Sequence, residues 1–156
     1  MAKPKAPRPS RKPELFSQLY QIAAGQNAVL GTVLSGHLVI EFLLVQLAAQ
    51  GAPQHKREIE ELSHSKLIDR NLSLGTVGAD LAELLRRINA LRNCFAHEIG
   101  FRPTLEEWKE LYRAASQVVS DSTDGISQGL DEMNTRQEHE LEQWVFAELF
   151  IQTAYH

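Results

Sequence analysis

The sequence predicts an all-α protein, an up-and-down bundle of four or five helices. Apolar residues recur at the spacing of one helix face over several long segments. No segment alternates apolar and polar residues as a half-buried strand does, and no Gly-rich loop suited to phosphate follows an apolar run. With 156 residues, the chain is long enough to bury one core.

Charge divides the chain into an arm and a body. Residues 1–13 carry five Lys or Arg, four Pro and no acidic residue. Subtracting this +5 from the formal total of −4 leaves −9 for residues 14–156. We expect residues 1–13 to form a disordered basic arm and residues 14–156 to form one helical domain. The arm is either a weak tether for nucleic acid or a partner, or a solvated tail.

Cysteine usage and the N-terminus indicate the cellular setting. Cys94 is the only cysteine, which excludes an internal disulfide and a cysteine-rich metal site. The N-terminus lacks the apolar core of a secretory signal. The sequence therefore predicts a reducing, cytoplasmic location.

The first predicted helix begins at Glu14 and ends near Gly25. A second, long helix is predicted over residues 27–50, with Gly51 and Pro53 as its stop signal. The second helix is apolar on more than one side and long enough to span a membrane. His37 and Glu41 lie in its middle, however, and a carboxylate at mid-membrane is costly. We therefore expect a soluble helix that is central either to the fold or to an oligomer interface, and no membrane association.

The middle of the chain contains the most regular pattern. Residues 55–69 are charged with a thin apolar side, which indicates a peripheral helix or helix-loop, and residues 71–78 read as a connection. Residues 79–97 have helical apolar spacing without a break. We expect the cap of this helix at Gly75–Thr76 or Asp80.

The last third of the chain has two predicted capping boxes. Thr104 with Glu107 matches a capping box that opens the next helix, and Thr135 with Glu138 matches one that opens a final helix reaching about Tyr155. Residues 120–134 are either a flexible loop or a frayed continuation. The final helix is apolar on more than one stripe, so we expect part of it to dock a second subunit.

Polar residues with chemical capability interrupt the apolar stripe near the end of the 79–97 helix. Arg92 supplies a permanent charge in a planar fork suited to phosphate, and His97 changes protonation near neutral pH. Asn93 lies four residues before His97, on the same helix face. Arg92 and His97 are about 140° apart around the axis, at roughly 100° per residue. They flank one wide face, beside which a phosphate could touch both.

His37 and Glu41 form a second polar pair, four residues apart on one helix face. A metal site would need further ligands on facing helices. Glu138, His139 and Glu142 are candidates, but together they match no metal signature. We instead expect a buried polar pair that satisfies a partner such as Arg92, with no metal and no cofactor.

The segment Leu91-Arg92-Asn93-Cys94-Phe95-Ala96-His97 resembles the Arg-x4-6-His motif of the HEPN superfamily, in which a polar residue directly follows the arginine. As in that family, the motif closes a long amphipathic helix of a small all-α chain. The helix that contains the stretch 37–44 resembles an earlier bundle helix of the family, which often carries an acidic residue, here Glu41.

This resemblance implies metal-independent RNA cleavage, in toxin-antitoxin or phage-defence systems, by a homodimer in which two motifs meet in one cleft. His97 would act as general acid or base, Arg92 would stabilise charge on the phosphate, and Asn93 would orient His97 or the phosphate. Glu41 would support the site by fixing the guanidinium. An antitoxin or regulatory protein is the implied partner beside RNA.

A non-catalytic reading stands beside this one. His97 at a helix C-terminus interacts favourably with the helix dipole, and Arg92 and Asn93 can bond exposed carbonyls. The acidic body also lacks the basic face usual in nucleic-acid binders. The alternative is therefore a HEPN-like helical interaction or regulatory module, with Cys94 as a small packed residue.

Overall fold

In a computed structural model, the structure describes residues 28–98 and 100–156. The expected basic arm and the first predicted helix lie outside these residues. The described residues are all-helical, which confirms the all-α class, and they form seven α-helices and two short 3-10 turns. The α-helices are α1 Ala28–Gly51, α2 Lys56–Glu60, α3 His64–Leu74, α4 Ala79–His97, α5 Leu105–Ser116, α6 Gly125–Thr135 and α7 Gln143–Tyr155.

Helix α1 is the centre of the fold. It packs against α2, α3, α4 and α7, while α5 and α6 close the bundle against α4 and α7. Gly36 permits close approach between α1 and α7, because a Cβ there would lie 2.6 Å from Cβ of Phe150. By length and composition alone, α1 could also cross a membrane, a test that core helices of soluble proteins pass as well.

Residues 56–74 are more deeply buried in the bundle than their charged composition predicted. They form two helices with buried apolar side chains, Ile59, Leu67 and Ile68. Helix α3 continues through part of the predicted connection, because Asn71 is a buried anchor. Its Nδ2 donates to the Leu44 carbonyl of α1 at 2.9 Å and to the Leu67 carbonyl at 2.9 Å. Spacing alone cannot distinguish such a satisfied buried amide from a loop residue.

Capping predictions had mixed outcomes. The Thr104–Glu107 capping box is confirmed at the start of α5, with both reciprocal bonds formed. The cap of α4 is Gly78, without a side-chain bond, so the prediction of Gly75–Thr76 or Asp80 was wrong.

The prediction for Thr135 was also wrong. Thr135 ends α6, and its hydroxyl donates back to the Asp131 carbonyl at 2.8 Å. The final helix begins later, at Gln143. The undecided segment 120–134 contains most of α6, whose start is held by Asp121. The Asp121 carboxylate accepts bonds from the backbone N–H groups of Ile126 and Ser127, both at 2.9 Å.

Candidate functional site on helices α1, α3 and α4

The last turns of α4 carry the Arg92–His97 motif. The helix ends after His97, where Glu98 takes an extended conformation, and Gly100 turns the chain with a φ of 74°. Phe101 then packs edge-on against Phe95, with ring centroids 5.1 Å apart. This return of the chain covers the Phe95 side of α4 and leaves His97 exposed.

The three predicted residues of the motif differ in burial. Arg92 and Asn93 are half-buried, and His97 is exposed. Arg92 Nη1 donates to Asn93 Oδ1 at 3.2 Å, so the amide engages the guanidinium. His97 has no side-chain hydrogen bond or ion pair with the residues that the structure describes. Its imidazole is thus accessible to a ligand at the end of the helix, beside a held Arg–Asn pair.

Helices α1 and α3 bring two further histidines together. His37 and His64 are both buried, and their ring centroids lie 3.9 Å apart. His37 Nε2 is bonded to Asn89 Oδ1 on α4 at 3.1 Å, and His64 Nδ1 to Glu41 Oε2 on α1 at 3.2 Å. We call these four residues, His37, Glu41, His64 and Asn89, the buried polar cluster.

Electrostatics keep the two imidazoles of the cluster neutral at neutral pH. Burial lowers the pKa of His37, an effect that Arg92 reinforces, although the Asn89 bond and Glu41 oppose it. Burial, followed by the charge of His37, lowers the pKa of His64 to about 4. Arg92 also acts on His64. The motif and the buried polar cluster are therefore electrostatically connected through Arg92.

The expected partner of Glu41 differs from the observed one. Its carboxylate bonds His64, and among the described residues no ion pair joins it to Arg92. His37 is buried, as the sequence indicated, but its hydrogen-bond partner is Asn89 and not Arg92. The other candidate ligands, Glu138, His139 and Glu142, are exposed and join no three-residue ligand group in the described part of the chain.

Cys94 contributes no nucleophile. It is half-buried, and burial raises the pKa of its thiol, with Glu98 and Glu107 adding to the effect. The thiol therefore stays protonated at neutral pH, consistent with a small packed residue.

Sequence reasoning missed His64 and Asn89 as members of the cluster. Asn89 left a signal, since it is a polar residue on the α4 face, one turn before Arg92. His64 left none, because it begins a separate short helix and meets His37 only through the packing of α3 on α1. A sequence pattern cannot report such a tertiary contact.

The chain was compared with protein-family models, curated proteins and solved structures, and none of them matches it.

Proposed function

We propose that this chain is a HEPN-like, metal-independent endoribonuclease of the cytoplasm, with a HEPN-like bundle as its fold. The observation that carries the proposal is the end of α4, where an exposed imidazole follows a half-buried Arg–Asn pair. These groups are the ones that cleavage of an RNA phosphodiester needs. The site resembles the Arg-x4-6-His motif in residue types and in position at a helix end.

The chemistry follows from the residues. A ribose 2′-OH attacks the adjacent phosphate, and the P–O5′ bond breaks, which yields a 2′,3′-cyclic phosphate and a 5′-hydroxyl. His97 takes the 2′-OH proton or returns one to the leaving oxygen, because an imidazole nitrogen can accept or donate a proton. Arg92 stabilises the charge on the phosphate, and Asn93 holds the guanidinium in place. RNA provides the nucleophile, so no covalent intermediate forms.

Glu41 has a supporting role in this proposal. It does not touch Arg92 directly, but it fixes His64 beneath the Arg92 charge and adds a carboxylate to the buried polar cluster. Loss of Glu41 therefore affects the position and electrostatics of Arg92 more than the proton transfer at His97.

A second copy of the chain is the proposed partner for the exposed face of α1. Leu38, Val39 and Phe42 are 62%, 51% and 61% exposed. They lie on the same turns of α1 as His37 and Glu41, next to the buried polar cluster. A homodimer formed across this face removes apolar surface from water. RNA and an antitoxin-like or regulatory protein are the further partners.

The exposed apolar face of α1 also favours the second candidate, a non-catalytic interaction module. The same surface would then bind another protein, and Arg92 and His97 would be structural groups. The two candidates differ in what His97 does: the enzyme needs the imidazole for turnover, and the module needs it for stability only.

Incubation of the purified chain with several RNAs in chelator tests the proposal. We expect wild-type protein to cleave and His97→Ala to lose at least about 100-fold in rate, the usual contribution of a general acid or base. His139→Ala is the matched control, because His139 is another exposed histidine. Intact RNA in the wild-type reactions, or equal cleavage by both variants, would reject the enzyme.

A further inference from the structure

We propose that His37, Glu41 and His64 bind a divalent transition-metal ion of the Zn²⁺ class. One donor atom from each residue lies within 4.8 Å of the other two. The site lies between helices α1 and α3, and His97 is not one of its ligands. The inference is therefore independent of RNA cleavage, which is proposed to proceed in chelator.

The donor set suits such an ion. Two imidazoles and one carboxylate form a common protein environment for Zn²⁺ and for other first-row metals. Metal–ligand bonds of about 2.0–2.2 Å require donors about 3.3 Å apart in a tetrahedron. Binding therefore requires a contraction of only about 1.5 Å at the widest pair, within reach of side-chain rotation.

Burial and hydrogen bonding point to a missing ligand. His64 is 7% exposed, and its Nε2 is buried with no hydrogen-bond partner among the described residues. An unsatisfied buried polar atom is costly, and a histidine nitrogen can be satisfied by a metal as well as by a hydrogen bond.

Charge balance is the main opposing factor. Glu41 contributes one negative charge to the site, but the guanidinium of Arg92 acts on both imidazoles and repels a cation as it repels a proton. The three proposed ligands come from two helices. His37 and Glu41 lie one turn apart on α1, and His64 begins α3. A bound ion would therefore clamp α3 to α1 and stabilise the bundle.

Calorimetric titration of the chelator-treated full chain with Zn²⁺, repeated with Co²⁺ and followed by absorption spectroscopy, tests the site. We expect one ion per chain, a higher Tm and the intense visible bands of four-coordinate Co²⁺. His64→Gln should weaken binding by at least about 100-fold, since even the loss of an outer-shell partner costs 10–100-fold. His139→Gln is the control and should bind as wild type does. Arg92→Gln should tighten binding by removing the opposing charge.

X-ray absorption of the Zn²⁺-loaded wild-type chain tests the site independently of whether any variant folds. We expect the spectrum to indicate a coordination shell with two imidazoles and one carboxylate per zinc ion. The absence of stoichiometric binding, equal binding by His64→Gln, or a zinc shell without two imidazoles would each overturn the proposal.

Discussion

At the level of single residues, the main feature of this protein is a pair of histidines in van der Waals contact. His37 and His64 are buried with their rings in contact at an angle of 31°, and each has one polar partner on a neighbouring helix. Protonation of either ring would place a charge in a site that already feels Arg92. Protonation of either imidazole should consequently destabilise the cluster.

This arrangement predicts that metal-free protein loses stability in acid. The folded-state pKa of His64, about 4, lies below its ordinary value of 6.5. The unfolded chain therefore takes up the proton first, and stability present above about pH 6.5 is lost as pH falls towards 4. His37 shifts in the same direction, while Glu41 opposes the effect. Each group can contribute up to about 1.4 kcal/mol per pH unit.

Urea unfolding in chelator between pH 7 and pH 5 measures this loss. His64→Gln, which cannot take up a proton there, should show a flatter dependence than wild type, and His139→Gln should not differ from wild type. An unaltered pH dependence in His64→Gln would show that the cluster does not control acid stability.

Local patterns identified Arg92, Asn93 and His97, because all three lie on one helix of unbroken periodicity. The partners of His37 and Glu41 could not be identified that way. Each partner depends on which neighbouring helix packs alongside α1, and His64 comes from a segment whose charged composition indicated the periphery.

At the scale of elements, long periodic segments were predictable and short ones were not. Helix α4 begins and ends where the apolar spacing predicts, and α1 ends within one residue of its predicted end. Helices α3 and α6 depend instead on tertiary anchors, Asn71 and Asp121, and periodicity does not reveal these. The capping-box pattern predicts a helix start correctly where the N-cap residue is not part of a preceding helix. Thr104 directly precedes α5, whereas Thr135 is the last residue of α6.

Removal of the Thr104 cap should destabilise α5. In Thr104→Ala, the N–H of Glu107 loses its acceptor, the Thr104 hydroxyl at 3.2 Å. We expect a loss of about 1 kcal/mol in the free energy of unfolding. Ser63→Ala is the matched control, because Ser63 also precedes a helix but makes no capping bond. Equal losses in chemical denaturation would contradict this account of the cap.

Two glycines of α1 should respond oppositely to alanine. Gly36→Ala forces a methyl group into Phe150 of α7 and should cost about 1–3 kcal/mol. Gly31 has nothing within 4 Å of its Cβ position, so Gly31→Ala should stabilise the helix by about 0.5–1 kcal/mol. Melting temperatures of the two variants provide the comparison, and a Gly36→Ala variant as stable as wild type would show that α1 and α7 are not packed as described.

At the scale of the whole molecule, α1 has two environments. One side forms the core with α3, α4 and α7, and the other exposes Leu38, Val39 and Phe42. The sequence pattern left an oligomer interface open on this helix and predicted docking on part of the final helix as well. Most apolar residues of α7 are buried within the chain, leaving Ile151 and Tyr155 exposed.

A charge on the exposed face of α1 should break the proposed homodimer. We expect Phe42→Asp to shift the mass in solution from dimer to monomer at micromolar concentration, because it would bury an unpaired carboxylate. Ala79→Asp, at an exposed residue of the first turn of α4, should remain dimeric. Sedimentation analysis of the three proteins decides between the outcomes, and a dimeric Phe42→Asp would place the interface elsewhere.

In the proposed function, Arg92 and His97 cleave RNA by using its own 2′-OH. The most direct measurement compares an RNA oligonucleotide with its 2′-O-methyl counterpart of the same sequence, incubated with wild-type protein in chelator. The account predicts that the RNA alone is cut, leaving cyclic phosphate ends, and that His97→Ala cuts neither. Cleavage of the 2′-O-methyl strand, or intact RNA after prolonged incubation, would contradict it.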